Sequence, residues 1–233
     1  MRLPALATAL YDDLLHREGI GKLTLTRRAV PIFTSGTPAT HLYFLDSGLV
    51  KIEKVTEAGK EILLGITAPG ELFGEQALLG EGAFSVSAKV LEGGVAYAIP
   101  TEMFQAFCER RPEVWRLLMQ HFLFKKDEME RKIEHLCQSD VRHRLIYYLV
   151  ELARLRPADT GGHVIHISQN ELASLVGATR ETTSTTLNGL SRQGLIVLGH
   201  RLVMIPCLEK LREAGDSQKS MTSTVGTVSV PVP

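Results

Sequence analysis

The chain has 233 residues, of which 44% are hydrophobic and 22% charged, and its formal net charge at pH 7 is +0. This is the composition of an ordinary globular protein of one or two domains, without the global positive charge that would by itself indicate nucleic-acid binding. The cysteines, Cys108, Cys137 and Cys207, lie far apart without a CxxC pair, so we expect free thiols in a reducing cytoplasm and no metal centre. No apolar run approaches the length of a membrane span.

The first half of the chain predicts a helix followed by many short strands. Residues 1–20 read as an amphipathic helix, and their apolar stretch is too short for a signal peptide. From residue 22 to residue 100, alternating runs are separated by turns such as Asp46-Ser47-Gly48 and Pro69-Gly70. Strands at this spacing predict a small antiparallel β-barrel of the jelly-roll type, within an α+β fold.

A long helix is predicted to begin at Pro112 and to end near Leu136. Apolar residues recur along it in steps of four and three, interrupted by Lys126, as in about three heptads of a coiled coil. This stripe can form the seam of a dimer, or it can pack on the chain's own barrel. The seam residues are Trp115, Met119, Phe122, Met129, Ile133 and Leu136.

Residues 167–195 carry the most specific motif, which is two short helices joined by a glycine turn. Ser168 and Glu171 have the spacing of a capping box at the start of the first helix. Gly177 tolerates the left-handed backbone that ends a helix, and Thr179 can cap the second one. Apolar faces follow at helical spacing, formed by Leu172, Leu175 and Val176 and then by Thr183, Leu187 and Leu190.

The second helix of this pair exposes a polar face at its N-terminal end. That face consists of Arg180, Glu181, Ser184 and Thr185. Short donors and acceptors with one arginine suit the reading of base edges in a major groove. Two short strand-like runs follow, joined by Gly199-His200-Arg201, and predict a hairpin, or wing, with a cation at its tip for a phosphate contact. An ordinary helical hairpin with a polar face is the alternative interpretation.

The motif resembles the winged helix-turn-helix of the cyclic-AMP receptor protein and fumarate–nitrate regulator (Crp/Fnr) family. The matching positions are Glu171-Leu172-Ala173, Val176-Gly177, Thr179-Arg180-Glu181-Thr182, Leu187 and Gly194-Leu195-Ile196. The resemblance extends over nearly the whole chain and implies a homodimeric regulator that binds pseudo-palindromic double-stranded DNA and contacts RNA polymerase. The DNA-contacting residues are then Arg180, Glu181, Ser184, Thr185, Thr179, Ser168, Gln169, His200 and Arg201.

The resemblance also divides the chain into domains. Residues 1–111 form a sensor barrel of the cyclic-nucleotide-binding type, and residues 112–137 form a dimerisation helix. A hinge at Gln138-Ser139-Asp140 then opens the winged helix-turn-helix domain, 138–213. Residues 214–233 are rich in Ser, Thr, Gly and Val without helical periodicity, and they predict a disordered tail.

The sensor barrel departs from the cyclic-AMP pattern of the family. The segment from Pro69 to Glu75 is similar to the nucleotide-binding cassette, in which Gly74 and Glu75 would hold ribose and phosphate. The family arginine that neutralises the phosphate is replaced by Val86, although Lys89 could swing inward. The remaining residues of the effector pocket are Ser85, Ser87, Met129 and Glu130. We therefore expect an effector other than cyclic AMP, with cyclic-AMP binding through a divergent cassette as the alternative.

Other chemistries find little support in the sequence. Neither a nucleophile elbow nor a Walker loop nor a metal-ligand set occurs, so we expect no catalysis and no cofactor. His41, His121 and His135 are interpreted as core or surface residues rather than haem ligands. Lys125 and Glu130 could hold a small 2-oxo acid, as charged helix residues do in one cyanobacterial branch of the family, but the arginine partner is missing. A binding module that does not bind DNA, such as a cyclic-nucleotide regulatory subunit, is the other alternative function. Such a subunit would not need the recognition helix.

Overall fold

Strands dominate the first part of the structure and helices the second. The computed structural model describes residues 4–27, 30–57, 59, 61–80, 82–138, 140–155 and 162–222. Two compact units result, Met1–Ile133 and Glu134–Pro233. The predicted α+β fold class is confirmed, because an antiparallel sheet fills the first unit and a helical domain with a small sheet fills the second. Within the described residues, no helix is long and apolar enough to cross a membrane.

The first unit is built on one antiparallel sheet with β1 (Gly21–Leu25), β5 (Ser87–Pro100), β2 (His41–Val55) and β3 (Glu61–Thr67) in that order, and β4 (Leu72–Phe73) pairs with β2. The described strands pair as an open sheet, and their pairing does not close into a ring. Its elements are α1 (Pro4–Asp13), β1 (Gly21–Leu25), β2 (His41–Val55), β3 (Glu61–Thr67), β4 (Leu72–Phe73), a 3-10 helix (Glu75–Leu79), β5 (Ser87–Pro100), α2 (Thr101–Arg110) and the larger part of α3 (Glu113–Gln138).

Two apolar clusters form the core of this unit, and strand β2 contributes to both because its side chains alternate. Leu42 and Phe44 join the cluster that also contains buried residues of α1, α2 and α3. Tyr43 and Leu45 belong to the other cluster, with the aromatic rings of Phe33, Phe73 and Phe84. Beyond Leu45 the register of β2 against β5 shifts three times, so that the long strand bends.

The second unit combines four described helices with a three-stranded sheet, in which β8 (Leu202–Ile205) pairs with both β6 (His163–Ile165) and β7 (Val197–Gly199). Its core includes buried leucines from three helices, such as Leu149, Leu172 and Leu187. After the C-terminal turn of α3, the elements are α4 (Val141–Arg154), β6 (His163–Ile165), α5 (Gln169–Val176), α6 (Arg180–Arg192), β7 (Val197–Gly199), β8 (Leu202–Ile205) and α7 (Leu208–Thr222).

The helix predictions need three corrections. The N-terminal helix ends at Asp13 rather than near residue 20, and α2 was not predicted. The predicted disordered tail, 214–233, is wrong for residues 214–222, because α7 continues to Thr222. Leu211 and Gly215 are buried one turn apart on α7, and Gly215 lies close to Ile146 of α4, so tertiary packing outweighs the low helix propensity of this segment. Residues 223–233 of the predicted tail lie outside the described residues.

Candidate nucleic-acid interface and sensor site

The helix-turn-helix forms as the local sequence predicts. The Ser168 backbone N–H and hydroxyl donate to the Glu171 carboxylate at 2.8 and 2.6 Å, and the Glu171 N–H donates back to Ser168 Oγ at 3.2 Å. Gly177 ends α5 in the left-handed conformation, with φ 64°. Thr179 then caps α6 by accepting from the Thr182 N–H at 3.2 Å. These local bonds confirm the predicted capping box, turn and second cap.

Helix α6 buries one face and presents the other to solvent. Thr183, Leu187 and Leu190 are all fully buried, as predicted. Arg180, Glu181 and Thr185 are exposed and Ser184 is half-buried, while Thr179 is exposed at the cap. Ser168 and Gln169, at the start of α5, are half-buried. In the part of the chain that the structure describes, neither Arg180 nor Glu181 forms an ion pair, so both remain available to a ligand.

The predicted wing is present as the β7–β8 hairpin. Gly199 pairs with Leu202, so His200 and Arg201 form a two-residue turn, and both side chains are exposed. Arg201 has φ 54°, which glycine adopts more readily than arginine. The turn therefore carries a cation at its tip in spite of a small conformational cost.

Sequence reasoning missed an arginine that supports the turn between α5 and α6. The Arg144 guanidinium, on α4, is 8% exposed, and its Nε donates to the Val176 carbonyl at 2.7 Å. Val176 is the last residue of α5, where carbonyl oxygens lack helical partners and a cation is favourable. Arg144 thus fixes the C-terminal end of α5 immediately before the recognition helix.

In the sensor unit, the cassette forms a tight turn that leads into the 3-10 helix. Gly74 is buried with φ 77°, and a Cβ there would lie 2.9 Å from the ring of Tyr43, so the position suits only glycine. Glu75 begins the 3-10 helix and is exposed. Ser85 is also exposed and accepts from Gln76 Nε2 at 2.7 Å.

Two further polar candidates for effector binding, Ser87 and Lys89 of the sheet, already bind other groups of the chain. The buried Ser87 hydroxyl accepts from the Ser35 N–H at 3.0 Å. The Lys89 ammonium pairs with the carboxylate of Glu53, which is 2% exposed, and with Glu61 at 3.3 Å. Although partial burial disfavours its charge, these two carboxylates raise the pKa of Lys89 above its usual value. The Lys51 ammonium also lies 3.1 Å from Glu53 Oε2, so the cluster combines two ammonium groups with two carboxylates.

The helix residues proposed for an effector lie on the exposed side of α3. Met129 is 45% exposed, and Glu130 forms an exposed pair with Lys126 at 2.6 Å. Lys125 instead pairs with the buried carboxylate of Glu71, in the cassette, at 2.5 Å. Lys125 and Glu130 therefore bind different partners, which gives no support to a joint site for a 2-oxo acid.

The apolar stripe of α3 is largely exposed on this chain. Trp115, Met119, Met129, Ile133 and Leu136 are between 41% and 58% exposed. Phe122 differs, since it is half-buried and packs against the core of the sensor unit. Leu123, at 53% exposure, lies beside it and extends the exposed stripe. Exposed apolar side chains that recur on one side of a helix in this way indicate a protein–protein contact.

The candidate histidines and the cysteines have ordinary structural environments. His121 is 2% exposed on α3, and the ring of His135 packs on Tyr147 with 4.1 Å between ring centroids. All three cysteines are free, as expected, and burial raises the pKa of Cys108 to about 11. Among the described residues there is no group of three or more His, Cys, Asp or Glu side chains able to hold a metal ion.

A sheet domain with a glycine-rich cassette, a long helix and a winged helix-turn-helix define a DNA-binding regulator with a sensor domain. Residues 27–111 match the cyclic nucleotide-binding domain and residues 143–214 match the Crp-like helix-turn-helix domain. The cyclic AMP receptor protein of Thermus thermophilus is 34% identical over 169 residues, which are 72% of this chain and 76% of that protein. A CRP-like cAMP-activated global transcriptional regulator of Mycobacterium tuberculosis is 29% identical over 218 residues, which cover 86% of this chain and 97% of that protein.

Solved structures agree with this assignment. A CRP/FNR-family transcriptional regulator of Thermus thermophilus superposes with a TM-score of 0.71 at 27% identity, over 84% of this chain and 98% of that one. The c-di-GMP responsive global regulator CLP of Xanthomonas campestris gives a TM-score of 0.72 at 25% identity, over 86% and 99% of the two chains. The chain belongs to the Crp/Fnr family of transcription regulators.

Proposed function

We propose that this regulator binds pseudo-palindromic promoter DNA as a homodimer and reads each half-site with the N-terminal end of α6. The observation that carries the proposal is the exposed pair Arg180 and Glu181, which the described part of the chain leaves without an ionic partner. Arginine pairs with guanine, and glutamate accepts from the cytosine amino group, in the major groove. Ser184 and Thr185 would add weaker base contacts.

Positioning on DNA would come from groups around this helix. Thr179, Ser168 and Gln169 lie at the starts of the two helices, where backbone N–H groups also favour a phosphate. His200 and Arg201, at the exposed tip of the wing, would contact a neighbouring phosphate. Contacts with RNA polymerase belong to the same proposal and rest on the family resemblance alone.

The dimer would form along the exposed stripe of α3, within the proposed dimerisation helix, 112–137. Its interface would contain Trp115, Met119, Met129, Ile133 and Leu136, as the sequence predicted, and Leu123. Phe122 would contribute through its remaining exposed part. Two-fold symmetry would place the recognition helices about 34 Å apart, one turn of DNA, and so requires a pseudo-palindromic site.

For the sensor domain, proposed over residues 1–111, we infer an effector other than cyclic AMP. Val86 provides no charge for a cyclic phosphate, and Lys89 is already neutralised by Glu53 and Glu61. A phosphate bound without a cation loses the charge-assisted bonds that stabilise it. Cyclic AMP is the second candidate, because the Thermus thermophilus relative at 34% identity is named a cyclic AMP receptor protein.

The test of the main proposal is selection of duplexes from a pool with randomised inverted repeats by the purified full chain, followed by footprinting. We expect enrichment of a two-fold symmetric sequence with half-site centres one helical turn apart. Enrichment of an asymmetric sequence would contradict symmetric dimer binding, and failure to enrich any sequence would contradict sequence-specific recognition.

A further inference from the structure

The buried face of α3 changes from apolar to polar along its length. Residues spaced by four and three share this face, and they are Val114, Leu118, His121, Lys125, Glu128 and Lys132. The first two belong to the apolar core of the sensor unit. Polar groups on a packed face are costly unless each finds a partner, so the partners of the two lysines are informative.

Lys125 connects α3 to the cassette. Its ammonium lies 2.5 Å from Glu71 Oε2, and the Glu71 side chain is 1% exposed. The same carboxylate oxygen accepts from the Ala68 N–H at 3.2 Å, which ties the ion pair to the backbone of the turn before β4. Glu128, one turn further along α3, lies 3.4 Å from Lys125.

Lys132 makes a second connection, to strand β3. Its ammonium donates to the Leu63 carbonyl and, at 3.3 Å, to the Leu64 carbonyl. Lys132 lies seven residues after Lys125 and therefore on the same side of α3. Burial lowers the pKa of Lys132 to about 8, in keeping with an ammonium enclosed by the sheet rather than by water.

We propose that Lys125 and Lys132 are positioning residues that hold α3 on the cassette and on β3, and that they thereby set the DNA affinity of the chain without a bound effector. The inference rests on the proposed DNA-binding function. In this chain the connection between sheet and helix is made by its own ammonium groups. An effector would then act by competing with these contacts.

The experiment compares full-length variants in binding to the duplex selected by the wild type, measured by fluorescence anisotropy after refolding and dialysis. Lys132→Met removes one anchor. The double variant Lys125→Met, Glu71→Gln removes the other without leaving a buried carboxylate unpaired. Lys22→Met is the matched control, because Lys22 is an exposed lysine of the same unit, on strand β1, and lies outside α3 and its stripe.

We expect both anchor variants to bind DNA at least about tenfold more weakly than the wild type, and the control to remain within about twofold. Circular dichroism and sedimentation would verify that the variants are folded and have the oligomeric state of the wild type. Lys132→Arg keeps a cation within reach of the carbonyls and is expected to bind more tightly than Lys132→Met. Equal DNA affinity of the wild type and both anchor variants would overturn the proposal.

A failure of DNA binding itself gives a different result. If the wild type selects no duplex, the proposed function fails and the link to DNA affinity fails with it. Amide hydrogen exchange then tests the anchor alone, since strand β3 should exchange faster in Lys132→Met than in Lys22→Met. Equal exchange of β3 in these two variants would show that Lys132 does not hold the sheet.

Discussion

Lys89 of strand β5 pairs with the buried carboxylate of Glu53 on strand β2. The sequence shows Lys89 as the one cation close enough in the chain to replace the missing arginine of the cassette, if it turned inward. The structure gives this ammonium two carboxylate partners, Glu53 and Glu61. A phosphate would have to compete with both of them for the same cation.

We therefore predict that cyclic AMP binds the wild-type protein with a dissociation constant in the millimolar range or weaker. Loss of several charge-assisted contacts costs several kcal/mol, and each 1.4 kcal/mol is worth about tenfold in affinity. Titration calorimetry with the purified protein is the measurement. Micromolar binding that also raises DNA affinity would favour the second candidate, a divergent cyclic-AMP site.

Arg180→Ala is predicted to weaken binding to the selected duplex by roughly 1–3 kcal/mol and to relax the preference at one position of each half-site. The arginine is exposed at the first position of α6, so its removal should leave the fold intact. Arg192→Ala is the control, because Arg192 is exposed at the opposite end of the same helix. A variant at Arg180 with unchanged affinity and unchanged base preference would contradict the proposed base contact.

The helix-turn-helix could be predicted in detail because its signals are local. Ser168 and Glu171 are three residues apart, and the partners of Thr179 and Gly177 lie within a few residues of them. Hydrogen bonds of this range depend on spacing that can be read directly from the sequence. The same holds for the wing, whose turn is defined by Gly199 and the two residues after it.

The sensor contacts could not be predicted, because their partners are distant in the chain. Lys125 and Glu71 are 54 residues apart, and Arg144 and the Val176 carbonyl are 32 residues apart. The chain contains many acidic residues with which a lysine on a helix could pair, and the sequence does not show which of them folding brings near. Helix α7 was missed for a related reason, since packing against α4 stabilises a segment of weak intrinsic propensity.

The dimer proposal predicts that Met119→Glu separates the protomers. Met119 is 58% exposed in the apolar stripe of α3, so a carboxylate there would be buried against its symmetry mate. An uncompensated buried charge costs about 3 kcal/mol or more, which corresponds to a dissociation constant raised about a hundredfold. Analytical ultracentrifugation measures this constant.

Gln120→Glu provides the control for that substitution. Gln120 is exposed, immediately follows Met119 and lies off the stripe, so the same added charge should leave the dimer intact. Phe122 is a poor choice for this test, because it also packs in the core of the sensor unit. If Met119→Glu and the control sediment alike as dimers, the interface lies elsewhere.

Acid should weaken the sensor unit through His121. Burial and then the charge of Lys125 lower the pKa of this imidazole to about 4, although the Glu71 carboxylate and a hydrogen bond with the Leu72 backbone oppose the shift. An unfolded histidine has a pKa near 6.5, so the unfolded chain binds a proton between about pH 6.5 and pH 4 while the folded chain does not. The stability that neutral His121 provides is therefore fully present above about pH 6.5 and is lost as the pH falls toward 4.

His121→Gln removes this titration, so its free energy of unfolding should fall less with acid than that of the wild type. Between pH 7 and pH 5 the wild type should lose roughly 2 kcal/mol more than the variant. Urea denaturation followed by the fluorescence of Trp115, the single tryptophan of the chain, reports on this unit. His16→Gln replaces an exposed histidine of the same unit and should retain the wild-type dependence on pH. Parallel acid profiles for the wild type and His121→Gln would show that the buried imidazole is not the group that responds.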